Sequence, residues 1–155
     1  TLNISIYTLD GRQVNTLNQR VRIPANPSTQ LVMHKLEKLL QGHQREEVVF
    51  NITLQTDNGK QYQQNSFLCL QKDLQLQSVE PQLAIEEAVG GCMVTVTADK
   101  FVRALCLSVA DDDSKMADNY IDILPGKPAR VFVNTSLSAD ELKHKISCQS
   151  LNDMH

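Results

Sequence analysis

The chain contains no tryptophan, and three tyrosines and four phenylalanines hold aromatics to 5% of its 155 residues. A sugar-binding platform, which stacks pyranose rings on exposed aromatic faces, therefore has few candidates. Tyr7, Tyr62 and Tyr120 fall in separate strand-like stretches, while Phe50, Phe67, Phe101 and Phe132 lie inside apolar patterns that read as core. Cysteine is sparse: Cys69, Cys92, Cys106 and Cys148 include no CxxC pair, which removes zinc-site and thioredoxin-like readings. They read as small buried hydrophobes, with a Cys92–Cys148 bridge as the alternative should those strands face each other across a sandwich core. No apolar run approaches the roughly 20 residues that cross a bilayer, so no membrane partner is expected. No cluster of Lys and Arg stands out among 15 basic and 18 acidic residues, net −3, which argues against nucleic acid. No leader is visible. The chain begins at Thr1 rather than Met and reads as a mature end or an excised piece, which leaves the compartment open.

What is present suits a folded chain: 41% hydrophobic and 21% charged. Charge is unevenly divided. Residues 1–73 carry 8 basic and 6 acidic side chains (+2), and residues 74–155 carry 7 and 12 (−5). A seam near Lys72-Asp73-Leu74 therefore predicts two domains, 1–73 and 74–155.

Both regions read as strands. Leu2, Ile4 and Ile6 alternate with Asn3, Ser5 and Tyr7, and Asp10-Gly11 marks a hairpin into a strand carrying Val14, Leu17, Val21 and Ile23. Pro24-Ala25-Asn26-Pro27 must be a connection, since two prolines remove ladder donors. Leu31 and Met33 read as a third strand, and Leu36, Leu39 and Leu40 as a turn or two of helix stopped by Gly42. Glu47–Thr56 alternates, Asp57-Asn58-Gly59-Lys60 is the strongest hairpin signal, and the partner strand is expected to run from Gln61 to about Gln71. Five strands in some 72 residues fall short of the ~100 of a full immunoglobulin-like sandwich, so the first domain is expected to be truncated at its N-terminus.

In the second region Val79, Leu83 and Ile85 open a strand interrupted by Pro81, and Val89-Gly90-Gly91 turns into the alternating Cys92, Val94, Val96 and Ala98. Phe101–Ala110, Tyr120–Leu124 and Val131–Val133 read as further strands. Asp111–Ser114 reads as a polar loop, Pro125-Gly126 as a type II turn, and Ser138–Glu141 as a capping box opening a single helical turn. Leu142, Ile146, Cys148 and Leu151 close the region. Short strands punctuated by Gly, Pro, Asn and Asp predict an all-β fold of two tandem immunoglobulin-like β-sandwiches.

A search for chemistry finds little. No nucleophile-elbow pattern surrounds any serine, and His34, His43, His144 and His155 read as solvated surface residues. Glu46-Glu47 and Glu86-Glu87 are adjacent in sequence, so on a strand they point to opposite faces and cannot form a glycosidase dyad. Asp111, Asp112, Asp113 and Asp118 are a weak metal candidate: their oxygens suit Ca²⁺, but the spacing lacks the glycine and terminal glutamate of an EF-hand, and a solvated loop is the plainer reading. Asn3, Asn51 and Asn134 begin Asn-x-Ser/Thr sequons, which matter only in a eukaryotic secretory route.

One stretch carries more. Ala117-Asp118-Asn119-Tyr120-Ile121-Asp122-Ile123-Leu124-Pro125-Gly126-Lys127 resembles the S-D-N-F-F-D-L-L-P-G stretch near the C-terminus of β-mannosidases of glycoside hydrolase family 2, most specifically over Asp118–Gly126. Thr97–Ser108 is similar to the preceding T-S-D-x-F-A-x-x-V-x-L-S hairpin, and Asp140–Lys143 and Ile146–Asp153 to the closing L-x-V-x-S-L-x-D. Leu70–Leu76 resembles the linker P-K-D-L-x-L, with Gln71 where proline is common. The first region resembles the penultimate domain through Asp10-Gly11, the I-P-A-N turn at Ile23–Asn26 and the L-x-x-L-L helix. In that family a jelly-roll domain, an immunoglobulin-like domain and a (β/α)₈ barrel precede two further immunoglobulin-like domains. The catalytic glutamates belong to the barrel, which needs about 250 residues.

The resemblance implies a non-catalytic accessory region with no catalytic, cofactor-binding or metal residue of its own. Asp118, Asn119, Tyr120, Asp122, Leu124, Pro125 and Gly126 then have structural work: Asp118 and Asn119 capping backbone at the start of a strand, Tyr120 and Leu124 packing, Pro125-Gly126 turning. Expected partners are the barrel and other domains of the same polypeptide, and a homodimer contact. The implied parent hydrolyses terminal β-D-mannosides with retention, in the periplasm or secreted if bacterial and in the lysosome if eukaryotic. The alternatives are a carbohydrate-binding module and stand-alone immunoglobulin-like adhesion domains.

Overall fold

The structure, a computed structural model, describes residues 1–23, 30, 32–110 and 113–154, and the chain divides into two units, Thr1–Gln75 and Leu76–His155. In both, the regular structure is mainly antiparallel strand, with short helices between.

The first unit forms one four-stranded sheet in the order β2–β1–β3–β4, from β1 (Leu2–Thr8), β2 (Gln13–Gln19), β3 (Val48–Gln55) and β4 (Gln61–Ser66). Its two hairpins follow the turn chemistry. The Thr8 hydroxyl donates to Asp10 and accepts from the Arg12 amide (2.9 Å), and Thr56 N donates to Lys60 O (2.9 Å) across Asp57–Lys60. The Thr8 hydroxyl, and after it the Arg12 charge, hold the Asp10 carboxyl below its ordinary pKa. The inner strands β1 and β3 pair in register from Leu2↔Leu54 to Thr8↔Val48, so Ile4 and Ile6 stand opposite Ile52 and Phe50. Helix α1 (Leu36–Leu40) lies over that face, where Ile6, Leu40, Val48 and Phe50 cluster with Val14, Leu36, Leu39 and Leu68.

Three expectations fail here. β2 ends at Gln19, so Val21 and Ile23 lie in irregular chain beyond it. Met33 lies in irregular chain and is 81% exposed, so no strand forms there, while Leu31 and the Pro24–Pro27 connection lie outside the described residues. β4 ends at Ser66, and Phe67–Leu70 leave the ladder. The polar run Gln61–Ser66 pairs along β3 to Phe50↔Ser66, and Leu68 then turns into the α1 cluster, a tertiary contact that alternation could not forecast.

The second unit has two sheets. One runs β5 (Gln82–Ala88), β6 (Gly91–Thr97), β10 (Ala129–Asn134) and β8 (Lys115–Met116); the other runs β11 (Ile146–Gln149), β7 (Val102–Val109) and β9 (Ile121–Ile123). Their apolar faces share one core: Cys92, Val94, Val96 and Ala98; Val102, Leu105 and Leu107; Ile123; Val131 and Val133. Such aligned inner faces are what an immunoglobulin-like sandwich buries. Helix α2 (Ala139–Lys145) inserts Leu142, fully buried, into this core.

The opening strand begins only after Pro81, β8 escaped notice because it is two residues long, and α2 is seven residues rather than one turn. Phe132 is outward rather than core: on a strand its neighbours Val131 and Val133 take the inner face, and both are buried. All four cysteines are free, so there is no Cys92–Cys148 bridge; Cys92 is buried, and Cys69, Cys106 and Cys148 are half-buried.

The α2 cap gives a first expected result. Ser138 Oγ accepts from Glu141 N (3.3 Å), and Glu141 Oε2 accepts from Ser138 N (2.8 Å). The Ser138 amide, then its hydroxyl, hold the Glu141 carboxyl below its ordinary value of 4.5. A depressed carboxylate stabilises the fold fully above that ordinary value and loses its contribution as pH falls through the folded-state value. Ser138→Ala is expected to cost about 1 kcal/mol at pH 7. Glu141→Gln should flatten the acid limb of a urea-midpoint titration against pH, and an unchanged limb would refute this.

Candidate functional site

The motif 118–126 and the residues it grips form a connected polar constellation in the second unit. It is built around an irregularity in β7. The β7–β9 register shifts between Val102 and Leu105, and Ala104 sits at φ 49°, in the left-handed region. The extra residue is a β-bulge, and it lets Val102 and Leu105 both face the core. A left-handed alanine costs roughly 1–2 kcal/mol and needs compensation. Asp122, in mid-β9, supplies it. Its Oδ1 accepts from Ala104 N (3.0 Å), and both carboxylate oxygens accept from Arg103 Nη1 (2.8 and 2.7 Å).

An asparagine closes the other side. Asn152, 1% exposed, accepts from Arg103 N (2.9 Å) and donates to Gln77 O (2.8 Å) and Phe101 O (2.9 Å). It thereby fastens the C-terminal turn Leu151–Met154 to the first residues of the unit. Arg103 and Asn152 were not singled out from the sequence. Their partners lie 19 to 75 residues away, and neither sits in a local pattern.

Ahead of β9, Asn119 does the work of a strand. Its Oδ1 accepts from Leu107 N (2.7 Å) and its Nδ2 donates to Leu107 O (2.8 Å), so one side chain satisfies both backbone groups of a β7 residue. Asp118 Oδ1 accepts from Asn119 N (2.8 Å), and Asn119 Oδ1 also accepts from Tyr120 N (3.1 Å). Tyr120 is held at φ 58° and is 72% exposed, so it does not pack, and packing falls to Ile121, Ile123 and Leu124. At the far end Lys127 N donates to Leu124 O (3.1 Å) with Gly126 at φ 65°, the type II geometry. Gly126 N also donates to Ala98 O (2.8 Å), tying the turn to the end of β6.

The motif's polar groups are thus engaged in holding backbone, and the other candidates are dispersed. Asp111 and Asp112 lie outside the described residues, and Asp113 and Asp118 are exposed. Among the described residues no three His, Cys, Asp or Glu side chains are placed to hold a metal ion. Glu86 and Glu87 lie on the edge strand β5, and Glu47 accepts from Gln44 N (2.9 Å) beside a one-turn helix. His34 and His144 are exposed, His43 stands 3.8 Å from Glu47, and His155 lies outside the described residues.

A cleft of about 480 Å³ is lined by Ser78, Glu80, Gln82, Thr97, Asp99 and Lys100, but the Lys100 ammonium donates to Ser78 O (3.0 Å). A smaller one of about 230 Å³ includes Cys148, Ser150 and Asp153. Burial, then the charges of Asp153 and Glu80, push the Cys148 thiol up, the opposite of what a nucleophile needs. Ser150 donates through both N (2.7 Å) and Oγ (3.2 Å) to Asp153, which makes it a cap rather than an activated hydroxyl.

The family models partition the chain in the same way. Residues 1–73 match the Mannosidase Ig/CBM-like domain, and residues 76–154 match the Ig-fold domain of the mannosidase type. A solved structure, the β-D-mannosidase from Dictyoglomus thermophilum, aligns over 96% of this chain with a TM-score of 0.68 at 17% identity. That likeness concerns the fold, and this chain spans only 18% of that protein's length. A search of curated proteins found no match. The chain therefore belongs to the family of mannosidase immunoglobulin-like domains, one such domain at residues 1–73 followed by a second at residues 76–154.

Proposed function

We propose that this chain is the non-catalytic accessory region at the C-terminal end of a β-mannosidase of glycoside hydrolase family 2, a scaffold for the catalytic barrel of the same polypeptide. The observation that carries the reading is how the side chains of the motif and of Asn152 are used. Asn119, Asp122 and Asn152 direct their polar atoms at backbone groups and at Arg103. A residue bound this way positions a fold. The family match to mannosidase domains supplies the context. In the parent, two carboxylates outside this chain would cleave a terminal β-D-mannoside with retention. The region would dock on the barrel and support a homodimer contact, without cofactor or metal.

The scaffold reading separates from a carbohydrate-binding module by titration. Exposed tyrosines are the groups a module would use, yet Tyr62 belongs to the first unit and Tyr120 to the second. Calorimetric titration of the chain with mannose, mannobiose and mannan is expected to give only heats of dilution. A saturable isotherm would overturn the scaffold reading in favour of the module.

A further inference from the structure

Three sequons survive as motifs that the scaffold does not use, and the fold treats them differently. Asn51 is 3% exposed and its amide donates to Asn65 Oδ1 (2.8 Å) while its carbonyl accepts from Thr53 Oγ1 (3.5 Å). Asn3 donates to Asn18 Oδ1 (2.5 Å) and accepts from Ser5 Oγ (3.0 Å), with Ser5 itself 5% exposed. A bulky oligosaccharide on either would break these pairs. Asn134 is different. It ends β10 as an exposed residue, and the hydroxyl two positions on, Ser136, is exposed as well.

Its surroundings suit a sugar. Asn134 stands opposite Gly91 of β6, which offers no side chain to crowd it, and on its other side opposite Lys115 of β8, whose side chain is exposed. Residues i and i+2 of a strand share a face, so Phe132 lies beside Asn134 on the outer surface, half-buried, with the core taken by Val131 and Val133. An aromatic ring there meets the apolar C–H face of a first N-acetylglucosamine, and its negative π-face complements those C–H groups. This also gives an outward phenylalanine an occupant.

We propose that Asn134 is an N-glycan acceptor and that Phe132 is the platform for the first sugar. The donor is a polyprenyl-pyrophosphate-linked oligosaccharide. The Asn134 Nδ2 forms a bond to the anomeric carbon, the bond from that carbon to the pyrophosphate oxygen breaks, the pyrophosphate leaves with its electron pair, and one amide proton passes to the transferring enzyme's base.

The test translates the full chain behind a cleavable leader into endoplasmic-reticulum microsomes, alongside Asn134→Gln and Asn51→Gln. Folded product is selected by protease resistance and treated with or without peptide-N-glycosidase F. The proposal expects one glycan, lost in Asn134→Gln and kept in Asn51→Gln. A protease-resistant chain with no glycan at Asn134, or one carrying it at Asn51, overturns it. A second measurement keeps the platform falsifiable. Enzymatic deglycosylation should lower Tm by a few degrees in the wild-type chain and by nothing measurable in Phe132→Ala, and equal shifts in both would refute the stacking.

Discussion

Asp122→Ala is expected to lower the unfolding free energy of the second unit by about 3 kcal/mol. The carboxylate has three tasks: it neutralises Arg103, it receives two bonds from Arg103 Nη1, and it accepts from the amide of the left-handed Ala104. Removing one partner of a buried pair typically costs about 3–5 kcal/mol, because the other is left desolvated and uncompensated. The Arg103 side chain keeps 26% of its surface in water and Asp122 only 11%, which places the expectation at the low end of that range. Asp122→Asn retains an acceptor for Ala104 but not the charge, and should cost about half as much. Urea unfolding should show a lowered midpoint with an unchanged slope. Adding Arg103→Met to Asp122→Ala should recover part of the loss, since an apolar side chain leaves no stranded charge. A change within about 0.5 kcal/mol for Asp122→Ala, the range of ordinary surface substitutions, would mean the pair is ornamental.

Gly91→Ala is expected to be at least as damaging, about 3 kcal/mol or more. A Cβ on Gly91 would sit 2.0 Å from Val133 O, 3.0 Å from Val133 C and 3.1 Å from Asn134 Cα. All three are backbone atoms of the neighbouring strand, so no rotamer change relieves the clash. The strands must separate where Gly91 pairs with both Ala88 and Asn134, and Val133, fully buried, would move with them. Gly90 is the control. It is at φ 82° with open space around it, so Gly90→Ala should cost only the backbone preference, roughly 1–2 kcal/mol. Equal losses at the two positions would show that the close approach to β10 is not what requires glycine at 91.

Much of this fold was written locally. Alternation marked β1, β3 and β6, the Asp-Gly and Asn-Gly pairs marked the hairpins, and Ser138–Glu141 marked the start of α2, because each signal depends only on near neighbours. A strand at Met33 and the extension of β4 to Gln71 failed because apolar residues with loop backbones look the same as strand residues when no partner is known. The site was legible in half. Asp118–Gly126 stood out, and the capping use of Asp118 and Asn119 could be argued from their chemistry. The bulge at Ala104, the pairing of Asp122 with Arg103 and the fastening by Asn152 join distant segments, and nothing in local spacing encodes them. Tyr120 shows the same limit from the other side: its place in the motif suggested packing, whereas Asn119 holds its backbone at φ 58° and the ring is exposed to solvent.

The most direct measurement is hydrolysis of an aryl β-mannoside by the purified chain, run on material shown by circular dichroism to unfold cooperatively as a β protein. If its side chains serve the fold alone, release of the phenol stays at the uncatalysed rate however concentrated the chain, and Asp122→Asn changes stability without changing that rate. Turnover proportional to chain concentration, abolished by a substitution that leaves the unfolding transition in place, would contradict the account at its root.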